Sequence, residues 1–129
     1  MKEIIIVINQ ELTDLNTYIN AERSNRFKAS KIKKQQTEVV SAECRKLLSS
    51  GISINTDNMP LDFEFYWYTK NKRKDKDNIV FAKKFIFDGM VESGLLVNDG
   101  WNEIGTFRDI VSVDKENPRV VIKIRSSEE

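Results

Sequence analysis

The stretch Leu61–Asp99, LDFEFYWYTKNKRKDKDNIVFAKKFIFDGMVESGLLVND, carries three patterns in succession. Its first residues alternate, with Leu61, Phe63, Phe65 and Trp67 on one side and Asp62, Glu64, Tyr66 and Tyr68 on the other. A period of two with aromatic and aliphatic residues on one face predicts a β-strand lying on a core. Lys70 to Asp77 then sets Lys70, Lys72, Arg73, Lys74 and Lys76 around Asp75 and Asp77. From Asn78 to Ser93, Ile79, Ala82, Phe85, Ile86 and Met90 recur at helical spacing, and Gly94 supplies the stop.

Outward from this strand, charged loop and helix, the rest of the chain falls into similar units. Downstream, Asn98-Asp99-Gly100 has the composition of a turn. Two further strands, Glu103–Val113 and Arg119–Arg125, are joined around Glu116-Asn117-Pro118. Upstream, the β-branched run Glu3–Ile8 predicts a buried strand. Asn9–Leu15 is a polar connection, and Asn16–Asn25 fits either a short helix or an ordered loop. Phe27 to Leu48 is helical, with Ile32, Val39, Val40, Cys44, Leu47 and Leu48 as an apolar stripe ended by Ser49-Ser50-Gly51. Ile52–Pro60 is a loop with an extended piece at Ile52–Ile54. The order β-α-β-α-β-β predicts an α+β fold, a mixed β-sheet packed with helices. A single domain is expected over residues 1–125, followed by a short acidic tail at 126–129.

At 129 residues the chain is long enough for one core, and 40% hydrophobic with 32% charged residues is ordinary for a globular domain. The net charge of +1 announces no polyanionic partner, so clustering of charge matters more than its sum. A single cysteine, Cys44, excludes an intrachain disulfide and a cysteine-rich zinc site, and its place on the apolar stripe predicts a core residue. The run Ile4–Ile8 is too short for a signal-peptide core or a membrane span, so a soluble, cytoplasmic protein without a membrane partner is expected. The chain has no histidine. Ser–His–Asp and Cys–His catalysis are thereby excluded, and any enzymatic chemistry falls to carboxylates, lysines and a metal.

The central stretch contains those groups. Cations hold a phosphate backbone and carboxylates hold a hard cation such as Mg²⁺. Asp75 and Asp77, two residues apart on an extended segment, project to one side. Asp77 also fits a plain helix cap. The helix is about 24 Å long at 1.5 Å per residue. The segment Gly94–Asp99 spans about 20 Å if extended, so a return path is long enough to bring Asp99 to the other two aspartates around Mg²⁺. Asp77, Lys84 and Asp88 share a narrow polar stripe of the helix, and Lys84 leans back toward the helix start, within reach of a scissile phosphate. A solvated Lys84–Asp88 surface pair is the plainer alternative. A second basic run, Arg23, Arg26, Lys28, Lys31, Lys33 and Lys34, either is a solvated helix face or extends the phosphate-binding surface.

Asp75-Lys76-Asp77-Asn78, the helix FAKKFIFDGM and Gly94-Leu95-Leu96-Val97-Asn98-Asp99 together resemble the RusA family of Holliday-junction resolvases. The upstream LNTYINAER and KIKK segments are similar to that family's N-terminal part, so the resemblance spans most of the chain. It implies a Mg²⁺-dependent endodeoxyribonuclease that nicks four-way DNA junctions, or other branched DNA, symmetrically as a homodimer. By the same resemblance Asp75, Asp77 and Asp99 are the metal ligands. The chain departs from the family pattern at Phe81, where a lysine stands four residues after the second motif aspartate. Lys84 is the substitute the helical wheel favours as the fourth catalytic residue. The DNA-binding set is Lys70, Lys72, Arg73, Lys74, Lys76, Lys31, Lys33 and Lys34. Two alternatives stand beside this reading. One is a non-catalytic branched-DNA-binding module, and the other is an assembly or regulatory protein offering Leu61–Tyr68 as an edge strand for a partner.

Overall fold

The alternation in the aromatic stretch becomes a strand whose inward side chains are almost wholly buried. In the computed structural model, which describes residues 1–127, β1 spans Ile4–Ile8, α1 Leu15–Ser24, α2 Arg26–Ser49 and β2 Leu61–Thr69. They are followed by α3 Lys76–Val80, α4 Lys83–Ser93, β3 Ile104–Val113 and β4 Arg119–Ser126. Leu61, Phe63, Phe65 and Trp67 of β2 are buried, while the intervening residues are half-exposed. The fold is α+β with one four-stranded mixed sheet, in the order β1-β4-β2-β3. β4 runs antiparallel to both β1 and β2, and β3 runs parallel to β2. The parallel pair is joined through α3 and α4, as a crossover connection requires.

This topology removes one expectation. β2 lies between β4 and β3, so Leu61–Tyr68 has no free edge to offer a partner. The tail is also shorter than expected. Ser126 ends β4, is buried and pairs with Leu61, while Ser127 donates its backbone N–H to the Pro60 carbonyl at 3.1 Å. The last two positions of the expected tail lie outside the described residues.

The helices pack on the face carrying Ile4, Ile6 and Ile8, the inward residues of β2, and Val120, Ile122 and Ile124. In α2 the buried line is Ala29, Gln36, Thr37, Val40, Ser41 and Cys44, more polar than the stripe expected from the sequence. The Gln36 side-chain carbonyl explains its place, accepting the Thr13 N–H at 2.7 Å. Cys44 is a core thiol, its pKa pushed up to about 11 by burial. α4 meets α2 at Gly89, where a Cβ would stand 2.6 Å from Val40 Cβ. Gly94 ends α4 in a left-handed conformation, and Leu96 N–H closes back on the Met90 carbonyl at 3.1 Å.

The remaining open or overturned expectations have local causes. Asn16–Asn25 is helical because Asp14 caps α1, accepting from Thr17 N at 3.2 Å and Thr17 Oγ1 at 2.7 Å. Ile52–Ile54 forms no strand, and a short 3₁₀ turn at Thr56–Asn58 follows it. The helix expected over 78–93 is broken. At Phe81-Ala82 the backbone tightens to i→i−3 bonds, Ala82 N to Ile79 O at 3.3 Å and Lys84 N to Phe81 O at 3.1 Å. The tight turn buries Ala82 and sets the Phe81 ring against Tyr18 and Phe85, each with centroids 5.6 Å away.

Candidate functional site

The basic loop leaves the C-terminal end of β2 and is held by a few backbone anchors. Lys70 N–H donates to Glu11 Oε1 at 2.9 Å, Thr69 Oγ1 to the Asn71 carbonyl at 2.8 Å, and Arg73 N–H to Asn71 Oδ1 at 3.0 Å. These contacts use little of the side-chain charge. Lys70, Lys72, Arg73, Lys74 and Lys76 all remain exposed. Lys74 is the one tied down, its ammonium 3.2 Å from buried Asp14. Burial alone would raise the Asp14 carboxyl. The hydrogen bonds from the Thr17 side chain and backbone, with the Lys74 ammonium, outweigh it and lower the pKa to about 2.

The Asp-Lys-Asp-Asn motif splits into different duties. Asn78 is buried, and its side-chain carbonyl accepts the Asn16 N–H at 2.8 Å, pinning the start of α1 to α3. Asp75, not Asp77, holds the N-cap position of α3, and its side chain makes no capping hydrogen bond. Asp77 lies within the first turn and accepts only from the neighbouring Asn78 N–H, at 2.9 Å. Both carboxylates are exposed. Asp75 lines an open groove of roughly 710 Å³ together with Asn71, Lys72, Lys74, Lys76 and residues of β3. An exposed carboxylate free of the backbone, among exposed ammonium groups, is available to a cation that a phosphate also binds.

Asp99 lies elsewhere. Leu95 and Leu96 are drawn into the core, and the chain surfaces beside Asp88, where Asp99 shares a second hollow with Glu92, Lys33 and Lys34. Asp88 is about three helical turns beyond Asp77. Among the described residues no three His, Cys, Asp or Glu side chains come together as a metal-holding group. Leu95 and Leu96 turn into the core, and Asp99 lines the second hollow rather than the groove of Asp75. Lys33 and Lys34 face this second hollow rather than the basic loop, and Lys31 is exposed on α2 nearby in sequence.

Lys84 is exposed in the first turn of α4, beyond the tightened turn that separates it from Asp77. Its neighbour Lys83 is structural. Its ammonium pairs with Asp109 at 2.5 Å over the Phe107 ring at 4.1 Å, and Asp109 also accepts from Trp67 Nε1 at 2.8 Å. Phe81 is committed to the aromatic cluster with Tyr18 and Phe85, so the position of the family lysine carries packing instead of charge.

As a test for Mg²⁺, the oxygens present fit one kind of site. Mg²⁺ is commonly held by one or two carboxylates, with waters and substrate phosphates completing its octahedron. Asp75, opening into the groove among the lysines, meets that description as a single carboxylate. Asp77, expected to project beside it from an extended segment, lies instead in the first turn of α3, where residues two apart do not share a face, and does not line the groove. Among the described residues no cage of three carboxylates including Asp99 is formed. Sequence reasoning missed Asp14, although Asp at the position before a helix with Thr three residues on is itself the signal of a cap. No protein-family model matches the chain, and no curated protein matches it.

Proposed function

We propose that the chain is a Mg²⁺-dependent, structure-selective endodeoxyribonuclease that nicks Holliday junctions or other branched DNA symmetrically, acting as a homodimer. The observation that carries the reading is Asp75. It occupies a helix-cap position without capping, exposed, in a groove it shares with Lys72, Lys74 and Lys76. The resemblance of this segment to the RusA family gives the direction, and the free carboxylate gives the chemistry a place.

Asp75 holds the ion. When bound, Mg²⁺ supplies positive charge to the scissile phosphate and acidifies a water. Lys72 and Lys76 position the DNA backbone, and Lys76, which lines the groove of Asp75, stabilises the phosphate in place of the more distant Lys84. Asn78 fixes the aspartates by tying α3 to α1. With no histidine in the chain, no side chain offers the usual neutral-pH base. A two-fold junction presents two equivalent strands, which a two-fold protein matches.

A second reading, binding of branched DNA without cleavage, is favoured by the separation of Asp99 from the other two aspartates and by Phe81 in the core. An end-labelled four-way junction separates the two. Nicks at symmetric positions that require Mg²⁺, vanish in EDTA and vanish in Asp75→Asn support the nuclease. Tight binding in EDTA with no nick in Mg²⁺ or Mn²⁺ overturns it in favour of the binding module.

A further inference from the structure

The corner between α1 and α2 carries the second basic run and one exposed aromatic ring. Residues 23–37 hold Arg23, Arg26, Lys28, Lys31, Lys33 and Lys34 and no carboxylate. All six cations are exposed, and none takes part in an ion pair among the described residues. The first turn of α2 holds no acid, and its cations sit at the positive end of the helix dipole, so the fold gains nothing from charge placed there. Phe27 stands among them 71% exposed and outside the core, with the Arg26 guanidinium 5.2 Å from its ring centre. A lone exposed apolar residue needs no explanation by itself. Phe27 differs in its neighbours. Ser30, Lys31 and Lys34 follow it at three, four and seven residues, so the ring heads an exposed stripe of α2 that is basic for two turns.

We propose that Phe27 stacks on a base exposed where the arms of branched DNA part. Arg26 and Lys28 then meet the flanking phosphates, and Lys31 and Lys34 follow the strand leading away. This rests on the reading of branched DNA as the substrate, and it adds a means of telling a branch from plain duplex. Phosphate contacts position a protein on any duplex and do not by themselves select the branch. A duplex keeps its base faces stacked inside, whereas a branch point exposes them. An aromatic ring amid cations holds such a base by its face and the backbone by charge. One ring offers too little apolar area for a membrane surface, which takes the apolar face of a whole helix. The corner is also within reach of the groove. Asn16 at the start of α1 is tied to Asn78 of α3, and the ten residues of α1 span about 15 Å. That is roughly four to five base pairs along a duplex, so one DNA arm can meet both.

Fluorescence anisotropy of a labelled four-way junction and of a plain duplex with the same arm sequence tests this, in EDTA so that nothing is cut. The wild type is expected to prefer the junction. Phe27→Ala weakens junction binding by about tenfold or more, the worth of one stacked base, and leaves duplex binding within about twofold. Phe27→Trp keeps the preference, whereas Lys31→Gln weakens junction and duplex alike. A 2-aminopurine placed at the branch is quenched by the wild type and not by Phe27→Ala. Because Phe27 is exposed, circular dichroism of Phe27→Ala is expected to match the wild type. Phe27→Ala binding both DNAs like the wild type, or losing both equally, overturns the proposal. So does a wild type that holds phosphatidylserine vesicles and no DNA. The two readings fail separately. A junction preference that depends on Phe27 with no nick in Mg²⁺ leaves the stacking site standing and removes the nuclease. Nicking by a chain whose binding is indifferent to Phe27 does the reverse.

Discussion

Two aspartates hold the same position at two helix starts and have opposite fates. Asp14, at the head of α1, is buried, caps the helix through Thr17 and meets Lys74, and its carboxyl is lowered to about 2. Asp75, at the head of α3, is exposed and makes no capping bond. The difference follows from what each helix needs. α1 spans ten residues, its cap Asp14 is buried and its Asn16 N–H is tied to Asn78 of α3, so its first N–H groups are satisfied by side chains of the fold. α3 is five residues long and opens into solvent, where water satisfies them. A carboxylate saturated by the fold stabilises the fold, and one left unsaturated is free to bind something else.

That contrast breaks down or sharpens under substitution. The largest effect is expected from Asp75→Asn, which lowers junction nicking by about a hundredfold or more through loss of a metal ligand. Thermal unfolding of this variant should stay close to wild type, as read by circular dichroism. Asp14→Asn should do the reverse. It keeps a capping oxygen but removes the carboxylate charge that meets half-exposed Lys74 and one of its two acceptors, at a cost of about 1–2 kcal/mol, which lowers Tm by about 3–6 °C for a chain of this size. Nicking per folded molecule should remain.

Acid unfolding gives a third, smaller effect. Because the folded Asp14 carboxyl titrates below its unfolded value, its contribution is complete above about pH 4 and is lost as pH falls toward 2. Urea midpoints followed from pH 5 to pH 2 should therefore fall less steeply in Asp14→Asn than in the wild type. The smallest effect separates the lysines. Lys72→Met and Lys76→Met should each reduce the salt dependence of junction binding by about one phosphate contact. Lys74→Met should reduce it less, since Asp14 already neutralises part of that charge.

The parts of the fold that were legible in the sequence are those where burial imposes a period. β2 shows its alternation because one face meets the helices and the other does not, and α2 shows its extent because only one side is covered. The insertion of β4 between β1 and β2 was not legible, since a strand's own residues do not name its neighbours. Nor was the break at Phe81, because the apolar spacing continues unchanged through the tightened turn. At the site, the exposed basic loop that follows β2 could be located from the chain. The place of Asp99 depends on how deeply Leu95 and Leu96 are drawn inward, a property of the whole core.

The most direct test sets Asp14→Asn and Asp75→Asn side by side on one labelled four-way junction in Mg²⁺, each normalised to its folded fraction. The account predicts that Asp14→Asn nicks like the wild type while melting earlier, and that Asp75→Asn melts like the wild type while leaving the junction intact. Nicking by Asp75→Asn at the wild-type rate would contradict it, because the uncapped aspartate would then hold nothing the reaction needs.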